Sequence, residues 1–468
     1  MKTILLIGLL TLSQIAFPQN TNTRIDSLLN EALQQDIFSG VVLIANRDSV
    51  QYLKAIGYSD WNTLSPNLTD TKFNIGSIGK LFTQILITQL IQEGKLSLSD
   101  NLAKLYPLYK NESNEKITVK LLLTFSAGIG DYFQISEFMK HSDKYRKTED
   151  LISLISKESL LYEPGTSSQY SNSSYVVLGG IIEKLTGKSY LENLKERILN
   201  PLKMNNSGFI YKDTKVENKA KGFIVNPAGQ KVSTYENTPS VPTPAGGMYS
   251  TAEDLLKLDR SFMNNNLLLN DEYKALLLNR FNEDNKKTWQ EIVSEQGRGF
   301  LFAGGSPGWN AIYNLNFAGK YTVIILSNID QGAQRINKQI DDILLGKDVT
   351  PLVPSADKVV LEIIKEKGAD YFTKNYEEAL KGISIDNDRI LNSLGYIFFQ
   401  QGKTEEAISV FTVNTKLFPD IANTFDSLGE AYLKAGNKEL AIENYMKAFE
   451  MDPNNKNAEK ILKDLTRQ

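Results

Sequence analysis

Two hydrophobic patterns divide the first 345 residues. Short apolar runs between polar turns predict β-strands, at 39–45, 51–57, 311–315 and 321–326. Apolar residues spaced three and four apart predict buried helices, at 22–33, after Lys80 and at 176–185, with another starting near Ala252. Residues 297–329 are predicted to form a hairpin meander. We therefore expect an α+β fold with an antiparallel sheet.

The last third of the chain carries a repeated pattern. Leu394-Gly395 recurs 34 residues later as Leu428-Gly429. The same interval joins other small, aromatic and proline positions, namely Phe398 with Tyr432, Gly402 with Gly436, Ala407 with Ala441, Phe411 with Tyr445 and Pro419 with Pro453. The period resembles that of tetratricopeptide repeats, in which small residues let paired helices approach closely. Residues 358–385 are predicted to be a degenerate first repeat, and 458–465 a closing helix.

Two interpretations of residues 358–468 stay open. The repeats form a surface for a protein or peptide partner, or they pack as an appendage that stabilises the rest of the chain. A linker at 346–357, with Pro351 and Pro354, is predicted to precede them.

Composition removes several classes of function. The formal net charge is −3 and no long basic run is present, so nucleic acid is not an expected partner. The chain has no cysteine and one histidine, His141. Thiolate or multi-histidine metal sites, a cysteine nucleophile and a Ser-His-Asp triad are therefore not expected, and neither is a metal or cofactor. The base for any serine nucleophile would be a lysine or a tyrosine.

Residues 1–19 have the pattern of a secretory signal peptide. Lys2 supplies a positive charge, a short apolar run follows at 4–10, and polar residues appear from Ser13. The apolar run is too short to span a bilayer. The mature protein is therefore expected to be exported, periplasmic or secreted, and to have no membrane span.

The first candidate for chemistry is the stretch 73–83, which contains Ser77-Ile78-Gly79-Lys80 before the long apolar helix. Residues three apart share a helix face, so Ser77 and Lys80 should lie together. A serine hydroxyl needs a nearby proton acceptor to attack, and burial lowers the pKa of a lysine toward that role. Alone, this spacing is a weak signal, because it more often marks an ordinary helix start.

Three further stretches are candidates for the same site as Ser77 and Lys80. Tyr170-Ser171-Asn172 is predicted to lie on a loop between a tight turn at 163–166 and the helix at 176–185. Residues 117–129 predict a short helix and a glycine loop, which could be core packing alone. Phe302-Ala303-Gly304-Gly305 leads a strand into a turn, where glycine permits a ligand to approach the backbone.

Together these motifs resemble those of the serine β-lactamase and penicillin-binding-protein-like superfamily, and within it the class C-like serine hydrolases. The resemblance covers roughly residues 25–345. It implies a β-lactamase/transpeptidase-like fold, with an antiparallel sheet flanked by helices plus an all-helical domain, followed here by the α-helical repeats. It also implies acyl transfer.

The resemblance assigns roles to individual residues. Ser77 would be the acylated nucleophile, Lys80 would share a proton with Tyr170, and Tyr170 would be the general base. Asn172 would orient Lys80 or the substrate. The backbone N–H groups of Ser77 and Gly305 would form the oxyanion hole. The substrate would contact the strand edge, at Phe302, Ala303 and Gly304.

One position departs from the superfamily. Its third motif begins with lysine or histidine, where this chain has Phe302. Leu121 and Phe125 also occupy places where relatives often have histidine. A phenylalanine supplies no charge for a substrate carboxylate, so neutral esters or amides are favoured over β-lactams.

The sequence thus predicts an exported serine hydrolase that acts on a small-molecule or peptide substrate. Its domains would be a signal peptide at 1–19, a hydrolase domain at 20–345, a linker at 346–357 and repeats at 358–468. The alternative is a catalytically weakened binding protein that keeps the fold.

Overall fold

The fold is taken from a computed structural model. The structure describes residues 20–47, 49–107, 109, 113–209, 215–226, 229–234, 242–295, 299–317, 319–354, 356–383, 385, 387–453 and 455–466. The predicted signal peptide at 1–19 lies outside these residues. The chain divides into two units, residues 1–34, 38–220 and 239–350 in the first and 35–37, 221–238 and 351–468 in the second.

A five-stranded antiparallel sheet organises the first unit, with strand order β10-β11-β12-β1-β2. Its strands are β1 (Gly40–Asn46), β2 (Val50–Ile56), β10 (Gly299–Ser306), β11 (Trp309–Asn316) and β12 (Tyr321–Ser327). The central strands β1 and β12 are apolar and almost wholly buried, and they pair from Gly40 with Ser327 to Asn46 with Tyr321. Strand β10 forms one edge of the sheet.

The chain has seven shorter strands besides the large sheet among its described residues. Five of them belong to the first unit, and two form a hairpin in the second unit. Strand β9 (Met248–Ser250) pairs with both β5 (Phe73–Asn74) and β6 (Gly208–Phe209). The two remaining pairs are β3 (Tyr58–Asp60) with β4 (Ser65–Pro66), and β7 (Phe223–Val225) with β8 (Lys231–Ser233). The β7–β8 hairpin belongs to the second unit.

Helices cover both faces of the large sheet. Tyr313 and Asn314 are neighbours on β11, so their side chains point to opposite faces. Tyr313 donates a hydrogen bond to Asp259 of α9 (Ala252–Met263), and Asn314 donates one to Asp341 of α12 (Gly332–Leu344). Helix α1 (Thr21–Gln34) packs beside α12. The sheet is therefore the middle layer of three.

The long apolar helix packs against other helices of this unit. Helix α2 (Gly79–Gln92) has eleven buried residues in fourteen, so it is surrounded on nearly every side. The helices that pack against it are α7 (Asn172–Thr186), α8 (Tyr190–Leu194) and α10 (Asp271–Leu278). The remaining helices of this unit are α3 (Leu102–Leu105), α4 (Val119–Leu123), α5 (Ser136–His141), α6 (Thr148–Ile155) and α11 (Trp289–Ser294). One apolar cluster runs from the sheet into these helices.

The second unit contains the repeats. Its helices are α13 (Ala356–Lys367), α14 (Ala369–Ala379), α15 (Arg389–Gln400), α16 (Thr404–Leu417), α17 (Ala422–Lys434), α18 (Lys438–Met451) and α19 (Lys456–Thr466). A Cβ added at Gly395 would lie 2.4 Å from the Phe411 ring, and one at Gly429 would lie 3.1 Å from the Tyr445 ring. The predicted close approach of small and aromatic residues is present in both repeats.

Candidate active site

Ser77 lies on a single turn of 3₁₀ helix, Gly76–Ile78, which continues directly into α2. The sequence predicted Ser77 at the start of the α-helix itself, and the structure places it one short turn earlier. The three-residue spacing still brings Lys80 Nζ to 3.2 Å from Ser77 Oγ. Only 5% of the Lys80 surface is exposed, and its Nζ lies 4.7 Å from the centroid of the Tyr170 ring and 5.6 Å from that of the Tyr175 ring.

Backbone contacts fix the serine turn against the sheet edge. Gly76 has a φ of +50°, and a Cβ on it would lie 2.4 Å from the backbone nitrogen of Gly305. A Cβ on Gly304 would lie 1.9 Å from the carbonyl oxygen of Ile75. Neither position has room for a side chain. The two glycines therefore bring the nucleophile turn and strand β10 into direct contact, where the oxyanion hole was predicted.

Lys80 is held by three acceptors. Its Nζ donates to Asn172 Oδ1 and to the carbonyl oxygen of Ala245, each at 2.7 Å, and lies near Ser77 Oγ. Burial lowers the pKa of Lys80 from 10.5 to about 7, and the nearby Asp131 carboxylate opposes that shift. A neutral amine has two N–H bonds and one lone pair. In that state the two N–H bonds of Lys80 can donate to Asn172 Oδ1 and to the Ala245 carbonyl. The lone pair is then free to accept a hydrogen bond from the Ser77 hydroxyl.

The Tyr170 hydroxyl also contacts Ser77 Oγ, and Tyr170 lines the cleft beside the serine. Its hydroxyl lies 2.5 Å from Ser77 Oγ and 3.4 Å from Asn172 Oδ1. Burial raises the pKa of Tyr170, Asp131 adds to this, and the hydrogen bond with Ser77 opposes it. The Tyr170 ring packs on Phe125, with ring centroids 5.0 Å apart. Phe125 has a φ of +60°, and its carbonyl accepts hydrogen bonds from the backbone N–H of Gln169 and the Tyr162 hydroxyl.

Asn172 is the first residue of α7, capped by the Ser171 hydroxyl. The sequence placed it on a loop with the helix starting at 176, and the structure corrects that start. Its amide is oriented by Asp131, a residue that the sequence analysis missed. Asp131 Oδ2 accepts from Asn172 Nδ2 at 2.7 Å and from its backbone nitrogen at 3.1 Å. This turns the amide oxygen of Asn172 toward Lys80.

An open cleft of about 560 Å³ borders Ser77 and Tyr170. Strand β10 contributes one side of it, including the predicted substrate-binding residues Ala303 and Gly304, together with Gly305. Phe302 is not among the lining residues that the structure describes. Its ring stacks on Tyr313 at 5.6 Å, on the face of β10 that packs against the core. The other side includes residues that the sequence analysis missed, namely Trp309, Asn310, Asp330, Gln331 and Gln334.

Two features are absent from the described residues. No group of three or more histidine, cysteine, aspartate or glutamate residues in them could hold a metal ion. Within the same residues, no helix is both long and apolar enough to cross a membrane.

Comparison with known families identifies the family to which the chain belongs. Residues 25–346 match the Beta-lactamase family, and residues 422–455 match the Tetratricopeptide repeat family. The chain therefore belongs to the β-lactamase family of serine hydrolases and penicillin-binding-protein-like proteins, with tetratricopeptide repeats at its C-terminal end.

Individual relatives are distant. The chain is 28% identical over 324 residues to Protein flp of Staphylococcus aureus strain MRSA252, a match that covers 66% of this chain and 64% of that protein. It is 30% identical over 230 residues to a teichoic acid D-alanine hydrolase of Staphylococcus aureus, covering 49% of this chain and 55% of that one. The chain thus spans less than two thirds of either relative.

A solved structure shows the same fold. The octameric penicillin-binding protein homologue from Pyrococcus abyssi superposes with a TM-score of 0.60 and 26% identity, over 74% of this chain and 81% of that one. The α+β fold predicted from the sequence is confirmed.

Proposed function

We propose that this protein is a serine hydrolase that cleaves esters or amides through an acyl-enzyme on Ser77. The observation that carries the proposal is the contact of Ser77 Oγ with both Lys80 Nζ and the Tyr170 hydroxyl, at 3.2 and 2.5 Å. A serine between two proton carriers, one of them a buried lysine, is the arrangement that activates a hydroxyl.

In the proposed reaction, neutral Lys80 accepts the Ser77 proton as Oγ attacks the substrate carbonyl. The pKa of Lys80 is lowered to about 7 while that of Tyr170 is raised. These directions support Lys80 as the proton acceptor and Tyr170 as a protonated partner, in place of the general-base role that the family resemblance implied for Tyr170. The backbone N–H groups of Ser77 and Gly305 stabilise the tetrahedral oxyanion. Losing one such donor typically costs about 10²–10³ in rate.

Breakdown of the intermediate expels the leaving group, which takes a proton from the Tyr170 hydroxyl as Tyr170 regains one from the Lys80 ammonium. Water then attacks the acyl carbonyl while one of its protons passes to the same pair of residues. Collapse of this second intermediate breaks the bond between the acyl carbon and Ser77 Oγ, releases the carboxylic acid, and returns the proton to Oγ. Asn172, held by Asp131, keeps Lys80 in place through both steps.

Neutral esters and amides are the proposed substrates, in preference to β-lactams. Phe302 packs on Tyr313 where a lysine or histidine would otherwise meet a substrate carboxylate. The name of one relative, a teichoic acid D-alanine hydrolase, is consistent with an ester-cleaving member of the family.

The test is hydrolysis of p-nitrophenyl acetate by the wild-type protein and by Ser77→Ala. Activity should be lost in Ser77→Ala and kept in Ser99→Ala, a matched change at an exposed serine. Intact-protein mass spectrometry after fluorophosphonate treatment should show one adduct that is absent from Ser77→Ala. Equal activity of wild type and Ser77→Ala would favour the catalytically weakened binding protein instead.

Export and partner binding are further parts of the proposal. The pattern of residues 1–19 supports export, and a mature protein that keeps those residues would contradict it. The repeats support a protein partner for residues 358–468. Pull-down with the full chain should then capture a partner that a chain lacking the repeats does not.

A further inference from the structure

The charged residue among the described cleft-lining residues is negative, whereas a substrate carboxylate would need a positive charge to bind it. Among the described residues that line the cleft, Asp330 is the one carboxylate and none is lysine, arginine or histidine. The strand edge supplies no cation either, since Phe302 stands at that position. The wall next to the nucleophile is therefore arranged for a neutral or positively charged group.

Asp330 is held firmly where it lines the cleft. The preceding residues are fixed because Ser327 Oγ accepts from the Ile329 backbone N–H at 3.1 Å and donates to the Ile329 carbonyl at 3.0 Å. Asp330 Oδ1 accepts from the backbone N–H of Gly308 at 3.2 Å. Gln331 then takes a left-handed conformation, with φ of +55°, before α12 begins. The carboxylate is thus fixed without a bound ligand.

Besides Lys80, whose Nζ lies 3.2 Å from Ser77 Oγ, a second lysine lies near the described cleft residues. Lys219 Nζ sits 5.3 Å from the centroid of the Trp309 ring, and Lys219 is not among the described cleft-lining residues. If Lys219 controlled the field in the cleft, anionic substrates would be favoured. Asp330 and Lys219 therefore make opposite predictions for substrate charge, and Asp330 is the group that borders the cleft.

We propose that Asp330 binds a substrate ammonium group, so that the preferred substrates are esters or amides of amino acids with a free amine. This inference rests on the proposed hydrolase function and adds to it the class of substrate. The ammonium would donate to the Asp330 carboxylate while the scissile carbonyl lies at Ser77 and Gly305. Hydrogen bonds to charged groups typically contribute about tenfold or more in affinity.

The experiment compares three methyl esters at pH 7, where most of an α-amine is protonated. Alanine methyl ester, in both enantiomers, carries the ammonium, whereas methyl propionate has the same carbon skeleton without it. Succinic acid monomethyl ester carries a carboxylate. Wild type should show a kcat/KM for one alanine ester at least about tenfold above that for methyl propionate. Asp330→Asn should lose most of that ratio.

Two other variants separate recognition from folding. Asparagine keeps an Oδ1 acceptor for Gly308, so the turn should survive in Asp330→Asn. Gln334→Lys adds a cation to the cleft wall without touching that turn, and it should lower the same ratio. Glu272→Gln makes the same one-unit charge change as Asp330→Asn at an exposed position of α10 and should leave the ratio unchanged.

Several results would overturn the inference. These are an unchanged ratio in Asp330→Asn, a parallel loss of both substrates, or a wild-type preference for the succinate ester. The last result would assign the cleft field to Lys219. Failure of the hydrolase proposal is recognised separately, because Ser77→Ala would then cleave methyl propionate as fast as wild type.

Discussion

Replacement of Lys80 by methionine should reveal the titration of the buried amine in the pH dependence of stability. Methionine has a similar length and no ionisable group. It leaves Asn172 Oδ1 and the Ala245 carbonyl without their donor, a cost that does not vary with pH. Any change with pH in the difference between wild type and variant therefore reports Lys80 itself.

The magnitude follows from the pKa of Lys80, which burial lowers from 10.5 to about 7. Between these values the unfolded chain keeps a proton that the folded protein has released, so the free energy of unfolding rises with pH. Each pKa unit corresponds to about 1.36 kcal/mol. From pH 6 to pH 9, wild type should therefore gain about 2.7 kcal/mol relative to Lys80→Met.

Tryptophan fluorescence during urea unfolding is a suitable assay. The three tryptophans of the chain, Trp61, Trp289 and Trp309, all lie in the first unit, so the signal reports that unit alone. Lys104→Met, at a lysine whose side chain is 70% exposed, is the matched control and should give a flat difference. A flat difference for Lys80→Met as well would show that Lys80 does not titrate near pH 7 in the folded protein.

Four further outcomes are expected. In wild type, kcat/KM for p-nitrophenyl acetate should fall about tenfold per pH unit below pH 7. Because Asp131 raises the pKa of Lys80, Asp131→Asn should shift this acidic limb of the pH profile to lower pH. A shift of the limb to higher pH would contradict this. Gly76→Ala should abolish activity, since its Cβ meets the Gly305 backbone, whereas Gly94→Ala has open space and should lose only stability, measured as Tm. Phe302→Lys should raise the acylation rate of carboxylate-bearing substrates more than that of neutral esters, and an equal change in both would exclude a role for strand-edge charge. Removal of residues 351–468 should leave p-nitrophenyl acetate hydrolysis intact if the repeats serve a partner, and should lower activity or Tm if they stabilise the hydrolase.

Local pattern was sufficient for the elements that carry the nucleophile. Ser77 and Lys80 are one turn apart in the chain, so their contact follows from spacing alone. Strands 39–45, 51–57 and 321–326 were predicted within one residue at each end, because their apolar runs end at polar turns. Helix α9 was predicted to start near Ala252 and does, with the Thr251 hydroxyl accepting a hydrogen bond from the backbone N–H of Asp254.

The features that the sequence pattern did not predict depend on contacts between residues distant in the chain. Asp131 follows a glycine loop that looks like an ordinary turn, and only the fold brings it to Asn172. Asp330 lies just before the amphipathic helix α12 and Gln334 lies in its first turn, where polar residues are expected whatever their function. Segments 35–37 and 221–238 are too short to show a period, and their grouping with residues 351–468 was not foreseen. The predicted boundaries of the linker and repeats stay predictions.

The contact between Gly76 and Gly304 has a consequence for how the substrate range of this protein could be changed. At that contact, backbone atoms alone set the distance between the serine turn and the sheet edge. Asp330, Gln331 and Gln334 come from a separate part of the chain, around the start of α12. A library that randomises these three positions would therefore explore new substrates while the geometry of acyl transfer stays constant, which makes the first turn of α12 the place to begin redesign.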